Sequence, residues 1–256
     1  MADLAAGCST LRSLHVRGEP LLLPNAWDVA SARAVEAAGF PVVATTSAGV
    51  AAALGHDDHE AAPGEEMLAA AARIAAGVAV PVTVDAEAGY GMDPEDLVAA
   101  LREAGAAGCN LEDTDHGTGE LRDAATHAEW LAAVREAAAR QEYGLVINAR
   151  IDVLVRAAST GREGSQAELV DEALGRARAY VDAGADCVYP ILLWEEDALA
   201  RFVSEHPGPV NALRIPPSPS VPRLGELGVA RVSWGGQLAH GSIEWLSREL
   251  DSLADG

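Results

Sequence analysis

Eight short apolar runs alternate with alanine-rich helical stretches along the chain, and no other feature limits the possible folds as strongly. The runs predict strands at residues 21–25, 42–47, 82–87, 108–113, 145–152, 187–192, 210–213 and 231–234. Between them, apolar residues at helical spacing predict helices at 29–38, 65–77, 94–104, 128–140, 166–183, 195–205 and roughly 219–227. Strands and helices that alternate across short turns form parallel sheets. Eight such units in about 250 residues predict a TIM-type (β/α)8 barrel.

Glycines mark the turns between predicted helices and strands. Gly39, Gly105, Gly184 and Gly228 each follow a helical stretch and precede an apolar run, as helix-terminating glycines do. This spacing supports the barrel, and a doubly wound open sheet is the alternative fold.

No stretch has the composition of a linker, so we expect a single domain over residues 1–256. Its last part, 240–256, contains an amphipathic stretch at 243–253 and is predicted to be a C-terminal helix. With 49% apolar but only 4% aromatic residues, the composition favours a helix-rich α/β enzyme over a β-sandwich.

The formal net charge of −21 argues against nucleic acid and anionic membranes as partners. The three cysteines, Cys8, Cys109 and Cys187, have no metal-binding spacing, and the apolar runs around Cys109 and Cys187 predict buried, reduced thiols. Neither a signal peptide nor an apolar run long enough for a membrane helix is evident, which predicts a cytoplasmic protein.

Two carboxylates lie two residues apart where the third strand ends, in Asp85-Ala86-Glu87-Ala88-Gly89-Tyr90-Gly91. Side chains at this spacing on a strand point the same way, so the two anions repel each other unless a cation lies between them. Glu112 ends the next strand, and active sites of such barrels lie where the strands end. Asp85, Glu87 and Glu112 therefore predict an oxygen-rich Mg²⁺ site with few direct ligands and several waters. Such a metal stabilises enolate-like charge next to a carboxylate.

An acidic chain needs a local positive group to bind an anionic substrate. Arg150, on the fifth strand, is predicted to pair with a substrate carboxylate or phosphate. Thr46 and Ser47, after the second strand, are candidates for contacts to another substrate oxygen, and Asn211 is a further candidate on the seventh strand.

Several strand-end residues have a purely structural interpretation as well. Asp28 is expected to cap the following helix. For Asp113 and Asp152, the structural alternative is pairing with Arg150 or with backbone N–H groups. For Asn211, it is hydrogen bonding to buried backbone groups.

Three residues are candidates for proton transfer: His116, Tyr90 and Asp58. His116 lies in a polar, glycine-rich loop after the fourth strand, which has the composition of a mobile lid. His56 and His59 belong to a polar loop after the second strand, for which a solvated surface is the main interpretation and a second metal site the alternative.

Three segments together resemble the isocitrate lyase/phosphoenolpyruvate mutase superfamily. They are Val84-Asp85-Ala86-Glu87-Ala88-Gly89-Tyr90-Gly91, Gly108-Cys109-Asn110-Leu111-Glu112-Asp113 and Ile147-Asn148-Ala149-Arg150-Ile151-Asp152. A fourth, Thr45-Thr46-Ser47-Ala48-Gly49-Val50-Ala51 followed by Leu54-Gly55, resembles the superfamily's substrate loop. Asp58 lies where the superfamily keeps an acidic residue near the metal, and the resemblance extends over residues 21–234.

The resemblance implies a (β/α)8 barrel that uses Mg²⁺ or Mn²⁺ and acts on α-oxo acids, their enols, or 2-hydroxy di- and tricarboxylates. Reactions in the superfamily form or break C–C or P–C bonds, or hydrolyse oxaloacetate. Members are often tetramers that exchange a C-terminal helix, which predicts a homo-oligomer, either a dimer or a tetramer. By motif match, the metal would be held by Asp85, Glu87 and Glu112, the substrate carboxylate or phosphoryl group by Arg150, and its carboxylate and enol end by Thr46, Ser47 and Ala48.

The loop after the fourth strand departs from the superfamily's lyases, which carry a Lys-x-Cys-Gly-His motif there. This chain reads Asp115-His116-Gly117-Thr118-Gly119-Glu120-Leu121, with neither Lys nor Cys. The resemblance therefore predicts a lyase, hydrolase or mutase that forms an enolate-type intermediate, without naming the reaction. A non-catalytic barrel that binds a small acid and a pyruvate-dependent metal aldolase are the alternatives.

Overall fold

The computed structural model describes residues 3–161 and 165–254. The last two positions of the predicted C-terminal helix, 255 and 256, lie outside the described residues.

Eight parallel barrel strands form a closed ring, as the sequence predicts. The first barrel strand is interrupted at Pro24, which divides it into β1 and β2. The first half pairs with the last strand of the barrel, and the second half pairs with the next strand along the chain. The remaining neighbours pair in parallel, and a parallel bridge between Val188 and Val210 completes the ring. The eight barrel strands, in which β1 and β2 together count as the first, are β1 (Leu21–Leu23) and β2 (Asn25–Ala26), β3 (Val43–Thr45), β4 (Val82–Asp85), β5 (Gly108–Glu112), β8 (Val146–Ile151), β9 (Cys187–Pro190), β10 (Asn211–Leu213) and β11 (Arg231–Ser233). The fold is therefore a (β/α)8 barrel rather than an open sheet.

A small antiparallel hairpin follows the fourth barrel strand, β5. It consists of β6 (Thr114–Asp115) and β7 (Glu120–Leu121), and the sequence had predicted only a loop there.

The helices surround the barrel. They are α1 (Leu4–Ser13), α2 (Val29–Ala37), α3 (Ser47–Leu54), α4 (Gly64–Gly77), α5 (Pro94–Glu103), α6 (Ala124–Arg140), α7 (Val153–Ser159), α8 (Val170–Asp182), α9 (Glu196–Glu205), α10 (Val221–Glu226) and α11 (Gln237–Ala254), with a 3-10 turn at Gln166–Glu168. Three of them, α1, α3 and α7, were not predicted from the sequence. The segment expected to be a substrate loop after the second strand is largely the helix α3.

Local sequence explains where the elements begin and end. The four turn glycines all adopt positive φ angles, between 76° at Gly105 and 102° at Gly184, which only glycine adopts without strain. Asp123 accepts the Ala125 and Thr126 N–H groups, so α6 begins earlier than its apolar spacing predicted.

The amino-terminal helix α1 packs across the bottom of the barrel. Its residues Gly7, Cys8 and Leu11 are buried. Leu11 fills the space beside Gly108, where an added Cβ would lie 2.7 Å from Leu11 Cδ2. The carboxyl-terminal mouth of the barrel is therefore the end left for ligands.

The C-terminal helix α11 is unlike the other helices because none of its described residues is buried. Six of its large apolar side chains are exposed, among them Trp245 at 56% and Leu253 at 77%. Within the described residues, no helix combines the length and the apolar composition that crossing a bilayer requires.

Candidate active site

The acidic side chains named from the sequence meet at the carboxyl-terminal mouth of the barrel. Asp85 ends β4, Glu112 ends β5, and Asp152 follows β8 directly. The strand register brings Asp85 beside Asn110 and Glu112 beside Arg150. The predicted convergence of these side chains is therefore present.

Asp85 is held by three hydrogen bonds. Its Oδ2 accepts the Ser47 N–H at 3.0 Å, and its own N–H donates to Thr45 Oγ1 at 2.8 Å. Asn110 Nδ2 approaches Asp85 Oδ1 at 3.3 Å. Because Ser47 is the first residue of α3, the positive end of that helix points at the Asp85 carboxylate.

Glu87 lies in the loop after β4 and is almost completely buried, with 3% of its surface exposed. Its Oε1 accepts the Glu60 N–H at 2.7 Å, and its carbonyl oxygen accepts the Glu112 N–H at 2.9 Å. Burial raises the pKa of Glu87 to about 7, and the charges of Asp85 and Asp58 add to that shift. The site therefore holds Glu87 next to other anions at a cost that a cation would remove.

Glu60 is a residue of this mouth that sequence reasoning missed. Its Oε1 accepts the Ala88 N–H at 3.1 Å and the Tyr90 N–H at 2.6 Å. His59, Glu60, Glu87 and Tyr90 all have positive φ, between 46° and 67°. Left-handed backbone is costly for residues other than glycine, and such strain concentrates at functional sites. Nothing in the sequence marks these four positions as left-handed.

Glu112 is paired with both His116 and Arg150. His116 Nε2 lies 2.6 Å from Glu112 Oε1, and Arg150 Nη1 contacts Glu112 Oε2. Burial raises the pKa of Glu112 to about 7, although Arg150 and the hydrogen bond to His116 oppose the shift. Burial lowers the pKa of His116, but its hydrogen bond to Glu112 and the charge of Glu112 outweigh that and raise it. The proton affinities of His116 and Glu112 therefore depend on each other.

Arg150 is more fully engaged than the sequence suggested. Its Nε donates to Asp152 Oδ1 at 2.7 Å and its Nη2 to Asp152 Oδ2 at 3.2 Å, in addition to the Glu112 contact. Burial lowers the pKa of Arg150, but the charges of Asp152 and Glu112 outweigh burial and hold that pKa well above its usual value. Arg150 thus serves first as the counter-ion of two carboxylates, and a substrate anion would share it with them.

The structural interpretations of three acidic residues are confirmed. Asp28 accepts the Ser31 N–H at 2.7 Å and caps α2. Asp152 pairs with Arg150, and Asp113 Oδ1 accepts the Asp152 N–H at 2.8 Å. The remaining Asp113 oxygen is bound by side chains of α8, Arg176 at 3.0 Å and Tyr180 at 2.6 Å.

His116 lies in the turn of the β6–β7 hairpin, directly above Glu112. The Gly119 N–H donates to the Asp115 carbonyl at 2.7 Å, and Glu120 of β7 forms an ion pair with Arg156 of α7. The His116 ring centre lies 5.4 Å from that of His59. The segment predicted to be a lid is thus a short hairpin attached to the barrel wall.

The other two proton-transfer candidates lie at the edge of the cluster. The Tyr90 hydroxyl donates to the Asp85 carbonyl oxygen at 3.4 Å, and burial together with Glu87 and Asp85 raises the pKa of Tyr90 well above its usual value. Tyr90 therefore stays protonated near neutral pH and acts as a donor rather than a base. Asp58 Oδ1 is buried and has no hydrogen-bond partner in the described part of the chain.

The predicted substrate-binding residues fall in two places. Thr46, Ser47 and Ala48 form the start of α3, with Thr46 and Ser47 buried. Gly49 allows this close packing, since an added Cβ would lie 2.8 Å from both Thr46 and Trp27. Asn211 is the first residue of β10, is fully buried, and donates to Ser233 Oγ at 3.3 Å rather than to backbone.

The donor set fits a hard divalent cation bound largely through water. Asp85, Glu87 and Glu112 supply only oxygen, and Asp58 adds a buried carboxylate oxygen without a partner in the described ranges. Among the described residues, no three His, Cys, Asp or Glu side chains converge closely enough to bind one ion directly, so neither this cluster nor His56 and His59 forms an all-protein cage. Mg²⁺ commonly uses one or two carboxylates and keeps several waters.

A buried arginine lies below the carboxylates inside the barrel. Arg231 of β11 is 1% exposed and reaches across the barrel to β5, where its Nη2 donates to Asn110 Oδ1 at 3.1 Å. Asn148 donates to the same oxygen at 2.8 Å. Burial lowers the pKa of Arg231. No sequence pattern marks Arg231 as buried, because a single Arg at the start of a short strand resembles a surface residue.

Comparison with known proteins identifies the family. The model of the phosphoenolpyruvate phosphomutase family matches residues 11–254, which is nearly the whole chain. The chain belongs to this family. It is an enzyme of the phosphoenolpyruvate mutase/isocitrate lyase superfamily, whose members include lyases and mutases.

The chain is similar in sequence to curated proteins of the superfamily. An uncharacterized protein of Mycobacterium tuberculosis, Rv1998c, is 38% identical over 250 residues, covering 96% of this chain and 90% of that protein. A probable 2-methylisocitrate lyase of Corynebacterium glutamicum is 34% identical over 199 residues, covering 75% of this chain and 61% of its own length.

Solved structures of the superfamily share the barrel. A putative phosphonomutase from Burkholderia cenocepacia J2315 superposes with a TM-score of 0.89 at 41% identity, covering 96% of this chain and 99% of that one. An oxaloacetate acetylhydrolase in complex with oxalate superposes with a TM-score of 0.84 at 24% identity, covering 100% of this chain and 89% of that one, and shares the fold.

Proposed function

We propose that this family member is a Mg²⁺-dependent enzyme that acts on a small α-oxo or 2-hydroxy carboxylate, or on a phosphonate or phosphoenol analogue, through an enolate-type intermediate. The reaction is cleavage of a C–C or P–C bond, hydrolysis or rearrangement, and we favour a lyase. One observation carries the proposal: the Asp85, Glu87 and Glu112 carboxylates lie at the barrel mouth beside Arg150 and His116.

Asp85, Glu87 and Glu112 are the residues that would hold Mg²⁺, or Mn²⁺ in its place, directly or through water. When bound, the ion supplies a Lewis acid that stabilises negative charge on an enolate oxygen. Glu112 then also connects the metal site to Arg150 and His116, since its two oxygens face those side chains.

The start of α3 is the element that supports substrate binding. The first N–H groups of a helix have no acceptor within it and favour anions. Ser47 N–H is used by Asp85, which leaves the Ala48 N–H and the Thr46 hydroxyl for a substrate carboxylate. Arg150 supplies positive charge, and Asn211 is retained as a contact from deeper in the barrel.

His116 is the residue best placed to move a proton at the mouth. It contacts Glu112 from the turn of the β6–β7 hairpin, and its side chain is largely removed from water. It lies on the segment where the superfamily's lyases carry their acid–base Cys, which this chain lacks. Tyr90 and Asp58 are the further candidates, with Tyr90 restricted to donating a proton by its raised pKa.

The proposal includes a homo-oligomer, a dimer or a tetramer, formed through α11. This helix exposes Leu238, Ile243, Trp245, Leu246, Leu250 and Leu253. An apolar groove of about 440 Å³ lies between the start of α11 and α3, lined in part by Trp27, Ala52 and Ala239. A second copy of the chain is the occupant we propose for these surfaces, because exposed apolar patches of this extent mark interfaces and the groove adjoins α11 itself.

Two measurements on the purified protein test the proposal. Titration calorimetry should show Mg²⁺ binding to the native protein, loss of that binding in Asp85→Ala, and retention in Asp93→Ala, whose side chain is exposed and caps nothing. Oxalate, which imitates the two oxygens of an enolate, should bind in the presence of Mg²⁺ and not to Asp85→Ala. Full Mg²⁺ affinity in Asp85→Ala would contradict the proposal.

A screen of 2-oxo and 2-hydroxy acids with Mg²⁺, read by release of pyruvate or another small acid, identifies the substrate. Asp85→Ala should abolish any turnover found. Consumption of pyruvate only when an aldehyde is present would identify an aldolase instead. Oxalate binding without turnover of any acid in the screen would contradict the proposed substrate class.

A further inference from the structure

Glu60 lies in the loop between α3 and α4 and joins that loop to the one after β4. Its carboxylate accepts two backbone N–H groups from the β4 loop, from Ala88 at 3.1 Å and Tyr90 at 2.6 Å. In the opposite direction, its own N–H donates to Glu87 Oε1 at 2.7 Å. Three hydrogen bonds therefore run between one residue and the loop that carries Glu87.

These contacts bear on the conformation of Glu87 as well as on its side chain. Glu87 and Tyr90 have φ angles of 46° and 56°, and Ala88 lies between them. A left-handed residue with a Cβ is strained and persists only where the surroundings impose it. The Glu60 carboxylate binds N–H groups within this strained stretch, so it stabilises the backbone on which Glu87 is presented.

Glu60 pays a similar conformational cost itself. Its φ angle is 57° and that of His59 is 67°. Two facing loops are thus both held in left-handed conformations, and the hydrogen bonds between them are charge-assisted, the stronger class of protein hydrogen bond. The neighbouring acid Asp57 is exposed and has no such contacts in the described structure.

We propose that Glu60 is a positioning residue of the active site: it clamps the α3–α4 loop to the β4 loop and thereby fixes Glu87 at the barrel mouth. The clamp itself rests on the hydrogen bonds alone. Its consequence for metal binding rests on the proposed function, in which Glu87 helps to hold Mg²⁺.

The first test reads the clamp without metal or substrate. Amide hydrogen exchange of the full-length protein should show the Ala88 and Tyr90 N–H groups exchanging about tenfold faster in Glu60→Ala than in the native protein. Glu60→Gln keeps an acceptor oxygen and should stay within about threefold of the native rates, since neutral hydrogen bonds are weaker but remain. Asp57→Ala is the matched control on the same loop and should leave both amides unchanged.

The second test reads the effect on Glu87. By calorimetry, Glu60→Ala should weaken Mg²⁺ binding by about tenfold, whereas Glu60→Gln should stay within about threefold and Asp57→Ala should match the native protein. Glu60→Gly, which accepts the positive φ angle but lacks the carboxylate, should behave like Glu60→Ala and remain folded.

The outcomes separate the two proposals. Unchanged exchange at Ala88 and Tyr90 in both Glu60→Ala and Glu60→Gly would overturn the clamp. Equal weakening of Mg²⁺ binding in Glu60→Gln and Glu60→Ala would show that Glu60 acts by charge rather than by position, and would overturn it as well. Absence of Mg²⁺ binding in the native protein, with the exchange pattern as expected, would refute the proposed metal site and leave the clamp supported.

Discussion

His116 Nε2 lies 2.6 Å from Glu112 Oε1, and this contact joins two parts of the site that the sequence presented separately. Glu112 was a predicted metal ligand and His116 a predicted proton-transfer group. Arg150 contacts the other Glu112 oxygen, so the three side chains form one cluster of charged groups in direct contact. A change in the protonation of any one of them is therefore felt by the other two.

Replacement of His116 by Asn should lower turnover by about 10²–10⁴-fold, the usual contribution of general acid–base catalysis. The variant should still fold, because His116 lies on the short hairpin rather than in the core. Steady-state kinetics on the substrate found by the acid screen provide the measurement. His59→Asn, which removes only the neighbouring ring 5.4 Å away, should stay within about threefold of the native rate. Full activity of His116→Asn would assign proton transfer to another group.

Stability should fall on acidification through buried neutral histidines. Burial lowers the pKa of His127 to about 3 and that of His206 to about 4, from 6.5 in an exposed imidazole. Below pH 6.5 the unfolded chain binds these protons and the folded protein does not, so unfolding becomes easier as the pH falls towards 4. Each group should cost about 2 kcal/mol of folding free energy at pH 5.

Urea unfolding at pH 7 and pH 5 measures this effect. In His127→Phe the loss of stability between the two pH values should shrink by about 2 kcal/mol, because one titrating group is gone. His240→Gln removes a histidine that is highly exposed on α11 and should leave the loss unchanged. The same loss in native protein and His127→Phe would show that His127 is not responsible.

Replacement of the buried Arg231 by Met should stabilise the protein by about 1–3 kcal/mol. The guanidinium is buried with one hydrogen bond and no carboxylate within ion-pairing distance among the described residues, and buried charges of this kind are often worse for stability than an apolar side chain. Asn110 Oδ1 keeps a donor in the variant, because Asn148 also binds it. Thermal or urea unfolding provides the measurement.

Arg135→Met is the matched comparison for Arg231→Met. Arg135 donates to the carbonyl oxygens of Gly184 and Leu145 and forms an ion pair with Asp186 at 2.6 Å, so its loss should cost about 3 kcal/mol. Opposite signs for the two variants are expected. A loss of stability in Arg231→Met as large as that in Arg135→Met would contradict the prediction.

Replacement of Trp245 by Glu should shift the protein from an oligomer to a monomer. Trp245 is large, apolar and 56% exposed on α11, and interface centres depend on such aromatic side chains. Light scattering after size-exclusion chromatography gives the mass. Ser247→Glu adds the same charge two residues away, where the helix turns to another face, and should leave the oligomer intact. A native protein that is already monomeric would refute the proposed oligomer.

Much of the barrel is predictable because its signals are local. Repeated strand–helix units with turn glycines such as Gly39 and Gly184 can be recognised without long-range information. All eight barrel strands were predicted from the sequence. The helices α3 and α7 were missed for a physical reason. Helix α7 has only seven residues, and α3 is alanine-rich on every face, so the helical spacing of apolar residues that reveals α4 or α8 does not appear in them.

The sequence by itself determined the barrel, the end of it that carries the site, and the carboxylates Asp85, Glu87 and Glu112, because strand period and strand order place these residues. Only the tertiary structure decided what each charge is paired with. Arg150 is shared by Glu112 and Asp152, and Glu60 holds Glu87 through left-handed backbone. Such pairings join segments far apart in the chain and depend on distances of a few ångströms, which no local pattern of residues encodes.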